Sequence, residues 1–134
     1  MSLRDRIGYD AGATNLEDSL GTARTHDFHY LNFNADTGPN TLGNWNNERV
    51  KTVRDVCHQT GIRLSLHTSS AVNIAEFSPF VSDAVDQYLR GCIDLASVLD
   101  CNGVVVHGGY HFSSELKARM QASLERLQLA VAYA

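Results

Sequence analysis

The sequence has few of the residues that mark disulfide-stapled or membrane-spanning proteins. It contains 3 cysteines in 134 residues, and Cys57, Cys92 and Cys101 lack the CxxC spacing of a thiolate metal site. We therefore expect packed, reduced thiols and no disulfide framework. No apolar run approaches the roughly 20 residues of a membrane span, and residues 1–6 lack the apolar stretch of a secretory signal. These absences predict a cytoplasmic protein with no membrane partner.

Positive charge is also scarce. Lys and Arg number 11 against 15 Asp and Glu, which gives a formal net charge of −4 at pH 7. Binding to a phosphate backbone needs clustered cations, so this balance argues against a nucleic-acid partner. Hydrophobic residues make up 43% of the chain, and no linker or charge block divides it. We therefore expect one domain over residues 1–134.

Four apolar strands alternate with four helical patterns. The predicted strands cover residues 6–10, 30–34, 62–67 and 104–107. The predicted helices begin at Asn15, at Asn47 (ending at Gly61), at residue 80 (ending at 99), and at Ser113 or Ser114. Because helices alternate with strands, the strands should be parallel and joined by right-handed crossovers. The fold class is therefore α/β, with four βα units.

The last predicted helix has an apolar and a polar side. Its apolar positions, which should face the core, are Leu116, Met120, Leu124, Leu127 and Val131. Its basic residues, Lys117, Arg119 and Arg126, are predicted to lie on the solvent side.

Two architectures fit four parallel βα units: a small doubly wound sheet and the first half of a (β/α)8 TIM barrel. The first turn, residues 8–12, lacks the G-x-G-x-x-G of a dinucleotide site. On the third strand Ile62, Leu64 and Leu66 alternate with the polar Arg63, Ser65 and His67. A barrel strand can turn such polar residues toward its mouth, whereas both faces of a doubly wound sheet should be apolar. The alternation favours the half-barrel.

The candidate site lies where the strands end. His67 and His107 end the third and fourth strands, and the same parity places Asp10 and Asn34 at the inward tips of the first two. Trp45, in the loop after the second strand, is the best aromatic candidate to cover a pocket. Imidazoles on adjacent strands, roughly 4.8 Å apart, can reach one metal ion.

Each assignment has a simpler alternative. His67 and His107 can be packed, hydrogen-bonded barrel residues, Asp10 can cap the first loop, and Asn34 can serve a turn. Trp45 can equally fix the second helix, and His111 can be a plain loop residue. The remaining histidines, His26, His29 and His58, are expected at the surface.

The segments around the two histidines resemble a known family. Residues 64–75 (LSLHTSSAVNIA), with His67 and Asn73 six positions apart, and residues 104–109 (VVVHGG) are similar in order and spacing to the xylose isomerase-like TIM-barrel superfamily. That superfamily includes sugar and sugar-phosphate isomerases and epimerases and the family 2 apurinic endonucleases. The resemblance covers the whole chain as the first four βα units of the barrel.

The resemblance implies a function for the intact barrel. It implies a metal-dependent isomerase or epimerase acting on a sugar-like substrate, with Zn, Mn or Mg as cofactor, or alternatively an apurinic endonuclease. In the endonuclease branch the residues matching His67 and His107 are metal ligands, and in the isomerase branch they more often shape the substrate pocket. The carboxylate ligands and catalytic glutamates of the family lie on strands five to eight. This chain is therefore expected to need a C-terminal half or a second copy, and a non-catalytic, self-assembling half-barrel is a third reading.

Overall fold

The computed structural model describes residues 4–35, 38–110 and 115–134. In this part of the chain four parallel strands form one sheet in the order β1-β2-β3-β4. The strands are β1 (Tyr9–Asp10), β2 (Tyr30–Asn34), β3 (Arg63–His67) and β4 (Val104–Val105). The helices are α1 (Leu16–Thr25), α2 (Asn47–Thr60), α3 (Pro79–Val98) and α4 (Leu116–Tyr133). The predicted α/β class, with four βα units and parallel strands, is confirmed.

The helix ends follow local sequence signals. The Asn15 side chain accepts a hydrogen bond from the Asp18 amide at 3.1 Å, which caps α1,. Asn46 caps α2 in the same way through the Arg49 amide at 2.8 Å. The predicted end of α2 at Gly61 is confirmed, because Gly61 adopts a left-handed conformation with φ of 71°,. None of the helices in the described ranges is both long and apolar enough to cross a bilayer.

The predicted alternation in the central strands is confirmed. Leu31 and Phe33 of β2 and Leu64 and Leu66 of β3 are all buried against the helices. The residues between them point to the opposite face of the sheet. The thiols pack as predicted: the structure shows Cys57 and Cys101 free, and burial raises their pKa values to about 11 and about 12.

The outer strands are shorter than predicted. β1 covers only Tyr9–Asp10 of the predicted 6–10, and β4 covers Val104–Val105 of the predicted 104–107, so His107 follows the strand. Within the described part of the chain each is an edge strand that pairs on one side only, β1 with β2 and β4 with β3. Fewer ladder hydrogen bonds hold such a strand in register. At the other boundaries α3 begins one residue early, with Pro79 in its first turn, and β3 one residue late,.

The prediction that the apolar stripe of α4 faces the core is wrong for four of its five residues, and only Leu127 packs against the buried side chains of Ile74, Val85 and Leu89. Leu116, Met120, Leu124 and Val131 are all 47% exposed or more. The sheet ends at β4, so the described residues offer no strand beneath this stripe. A groove of about 650 Å³ runs between α3, β4 and α4. The predicted start of α4 at Ser113 or Ser114 lies outside the described residues.

The prediction that Arg126 faces solvent is also wrong, because its side chain is buried. Its Nε atom donates to Asp86 Oδ1 at 2.5 Å. The rest of the guanidinium donates to the carbonyl oxygens of Ile74 and Glu76 and to the Ser82 hydroxyl. A guanidinium can satisfy several acceptors at once, so this one arginine docks α4 against α3 and the preceding loop.

A second arginine holds the first two βα units together. Arg49 of α2 forms a bidentate ion pair with Glu17 of α1, with N···O distances of 2.7 and 2.9 Å. It also donates to the buried side chain of Asn40 at 3.0 Å. Asn40 in turn accepts from the Leu16 amide and donates to the Thr14 carbonyl oxygen. The loops after β1 and β2 are therefore fixed to each other.

The Glu17 ion pair predicts a pH dependence of stability. The hydrogen bonds from Arg49 hold the pKa of Glu17 below its ordinary value of 4.5. A carboxyl whose pKa is lower in the folded state stabilises the fold above its unfolded pKa and loses that contribution as the pH falls. The thermal midpoint of Glu17→Gln should therefore fall less steeply than that of wild type below about pH 4.5, measured by circular dichroism.

The matched control is Asp18→Asn. Asp18 is the neighbouring exposed carboxylate and forms no ion pair with any described residue. This variant keeps the ion pair of Glu17 with Arg49, so it should retain the steeper fall of the thermal midpoint. Equal slopes for wild type and Glu17→Gln would contradict the prediction.

Candidate functional site

The C-terminal ends of the strands bring the two predicted histidines together. In the parallel register Asn34 of β2 is opposite His67 of β3, and His67 is opposite Val105 of β4. His107 follows Val105 by two residues, so the side chains of His67 and His107 are on the same face of the sheet. Parallel strands end at the mouth of a barrel, where ligands bind.

The imidazole rings of His67 and His107 are in direct contact. Their centroids are 4.8 Å apart, and the planes meet edge to face at 73°. Nδ1 of His67 is buried and has no hydrogen-bond partner among the described residues. A buried polar atom without a partner costs free energy, so it marks a position where a ligand would be stabilising.

The pair fits half of a metal site. Two imidazoles on one tetrahedral ion, with metal–nitrogen distances of about 2.1 Å, have ring centres about 5 Å apart, close to the observed 4.8 Å. Catalytic sites usually need a third protein ligand. Within residues 4–35, 38–110 and 115–134, no group of three or more His, Cys, Asp or Glu side chains is placed to hold an ion. The ring spacing is therefore compatible with two ligands of one ion, and a third ligand is not among the described residues.

Asp10 belongs to a polar row across three strands. Its Oδ1 atom accepts from Asn32 Nδ2 at 3.2 Å, and Ser65 Oγ donates to Asn32 Oδ1 at 2.9 Å. Asp10 Oδ1 also accepts from the Gly12 amide at 3.0 Å, as in the capping alternative. Asp10 is opposite Asn32 in the register. Asn32 precedes Asn34, the partner of His67, by two residues along β2. The row therefore lies on the same face of the sheet as His67, two residues nearer the N-terminal ends of the strands.

Trp45 lies in the loop before α2, two residues from its first residue. Its ring centroid is 6.1 Å from that of Phe33, and the Arg49 guanidinium stacks 3.9 Å from its centre. Its indole Nε1 donates to the Asn40 carbonyl oxygen at 3.0 Å. These contacts correspond to the helix-fixing alternative. The structure does not bring Trp45 into contact with the histidine pair, and His111 lies outside the described residues.

Sequence reasoning missed the contacts that hold the segment after His107. The Ser123 hydroxyl of α4 donates to the Gly108 carbonyl oxygen at 2.7 Å. Gly109 has φ of 87°, a conformation that side chains rarely adopt,. The consecutive glycines after His107 were the available signal, since adjacent glycines often mark special backbone.

Comparison with known proteins identifies the family. A family model described as a xylose isomerase-like TIM barrel matches residues 20–134. A search of curated protein sequences finds no match.

Solved structures are similar in fold. A D-tagatose 3-epimerase-like protein has a TM-score of 0.77 at 20% identity, over 96% of this chain and 49% of that one. D-psicose 3-epimerase from Clostridium cellulolyticum has a TM-score of 0.75 at 14% identity, over 91% and 44%. Endonuclease IV from Thermus thermophilus has a TM-score of 0.69 at 18% identity, over 92% and 46%. At these identities the likeness establishes the fold, and the chain spans about half the length of these proteins.

The two glycines after His107 provide a matched pair of substitutions. A Cβ atom on Gly109 would lie 2.8 Å from the backbone nitrogen and Cβ of Ala75 and 2.9 Å from Asn73 Oδ1. One on Gly108 would meet nothing within 4 Å. Gly109→Ala should cost about 1–3 kcal/mol of unfolding free energy, and Gly108→Ala less than about 0.5 kcal/mol. Urea denaturation measures both, and equal losses would contradict the prediction.

Proposed function

Because the chain belongs to the xylose isomerase-like TIM-barrel family, we propose that it forms the N-terminal half of a barrel that isomerises or epimerises a sugar or related polyol. The observation that carries the proposal is the contact between His67 and His107 at the mouth end of the strands. The epimerase structures of similar fold support the sugar class.

The charge of the mouth favours a sugar over abasic DNA. The four loops that follow the strands are residues 11–15, 35–46, 68–78 and 108–115, and their sequences contain no Lys or Arg. Phosphate contacts in nucleic-acid complexes come largely from these cations. Three arginines on the helices lie against acidic residues: Arg49 pairs with Glu17, Arg119 with Glu76 and Arg126 with Asp86. A neutral polyol needs no such cations.

The residues of this chain would bind and orient the substrate. A divalent ion such as Zn, Mn or Mg would supply, when bound, a positive charge that polarises a carbonyl oxygen. His67 and His107 would hold it through ring nitrogens, and the carboxylate ligands and the base would come from the other half of the barrel. Asp10 and Asn34 would supply acceptors and donors to the hydroxyl groups of the substrate.

The proposed barrel needs four further strands. In the described residues β1 and β4 each leave one edge unpaired, and the polar row on the face opposite the helices is partly exposed. Unpaired edges and apolar grooves are sites where another strand or helix adds. The groove beside β4 and the exposed stripe of α4 would be covered by the neighbouring unit. Further sequence on the same chain, or a second copy in a four-plus-four barrel, would supply it.

The function is tested by assaying the full-length protein with ketohexoses. With Mn²⁺ or Mg²⁺ present, it should interconvert sugars that differ at one carbon next to the carbonyl, as measured by chromatography. The variant His67→Ala together with His107→Ala should weaken metal binding at least about tenfold in equilibrium dialysis, because it removes two direct ligands.

The control is His58→Ala, which removes an exposed histidine on α2 and should leave metal binding unchanged. Cleavage of abasic duplex DNA without sugar conversion would replace the proposal with the endonuclease alternative. Wild-type metal affinity in the double variant would show that the two histidines are not ligands.

A further inference from the structure

The loop that begins after His107 is hydrogen-bonded to the loop that follows His67. Asn73 lies in the β3–α3 loop, residues 68–78, and its Oδ1 atom accepts from the Tyr110 amide at 2.8 Å. The same oxygen accepts from the Ala75 amide at 3.1 Å. One side-chain atom thus ties its own loop to the segment three residues beyond His107.

The two loops also approach each other closely at Gly109. There is no room for a Cβ atom between Gly109 and the backbone nitrogen of Ala75. The contact therefore depends on a glycine on one side and on the position of Asn73 and Ala75 on the other. A shift of either loop would break both the hydrogen bond and the packing.

The β3–α3 loop is itself anchored from below by α4. The buried Arg126 guanidinium donates to the carbonyl oxygens of Ile74 and Glu76, which flank Ala75. Near the start of the loop, the Tyr88 hydroxyl of α3 accepts from the Ser69 amide at 2.7 Å. The loop that carries Asn73 is thus held at both ends, so it can serve as a fixed support.

We propose that Asn73 is a positioning residue for His107. Its Oδ1 atom holds the β4–α4 segment so that the His107 ring stays in contact with the His67 ring, 4.8 Å away. β4 ends at Val105, so no ladder hydrogen bond of that strand reaches His107. The hydrogen bond from the Tyr110 amide to Asn73 takes the place of such ladder hydrogen bonds. The inference rests on the proposed function only in taking the histidine pair as the site.

The test uses the metal-free full-length protein and two NMR measurements. In Asn73→Ala the Tyr110 amide should exchange with solvent at least about fivefold faster, because it loses its acceptor. The nuclear Overhauser contacts between the His67 and His107 rings should weaken. Asn73→Asp keeps an acceptor oxygen at the same place, so it should retain both the slow exchange and the ring contacts.

The control is Asn102→Ala, an exposed asparagine that precedes β4 at the opposite end of the strand, and it should change neither measurement. Wild-type exchange and ring contacts in Asn73→Ala would overturn the inference. So would their loss in Asn73→Asp, which also decides the question if Asn73→Ala does not fold. Absence of metal binding in wild type would contradict the proposed function alone, because neither NMR measurement requires a metal.

Discussion

The parallel pairing of β2 with β3 is the constraint on which the rest of the molecule depends. Five consecutive residue pairs align, from Tyr30 with Arg63 to Asn34 with His67. Because the side-chain period of a strand is two, this register sends one set of residues beneath the helices and the other onto the opposite face of the sheet. A slip of one residue would bury His67 and expose Leu66.

The features that could be predicted from the sequence are those encoded locally. Leu31 and Phe33 alternate with asparagines, and this pattern alone fixed which face of β2 is buried. Asn15 and Gly61 are helix-end residues whose effect acts within one turn. The placement of His67 and His107 at the strand ends followed from the same patterns, once the strands were taken to be parallel.

The remaining features depend on contacts between residues far apart in the chain. Arg126 has the sequence context of a solvent-facing helix residue, and only its position across from residues 74–86 makes it a buried anchor. Asn73 and Gly109 are 36 positions apart in the sequence but in contact in the fold. The periodicity of apolar residues does not predict such a contact. The prediction for the apolar stripe of α4 fails for a related reason, since periodicity identifies an apolar face without showing what covers it.

The row of Asp10, Asn32 and Ser65 has a direction. Ser65 gives its hydroxyl proton to Asn32, and the Asn32 amide gives one to Asp10, so every donor points toward β1. The dipoles of such a chain reinforce one another. At the opposite end Ser65 has committed its only proton and keeps lone pairs. The polar row is therefore polarised from β3 toward β1. A group that binds beside Ser65 meets a hydrogen-bond acceptor.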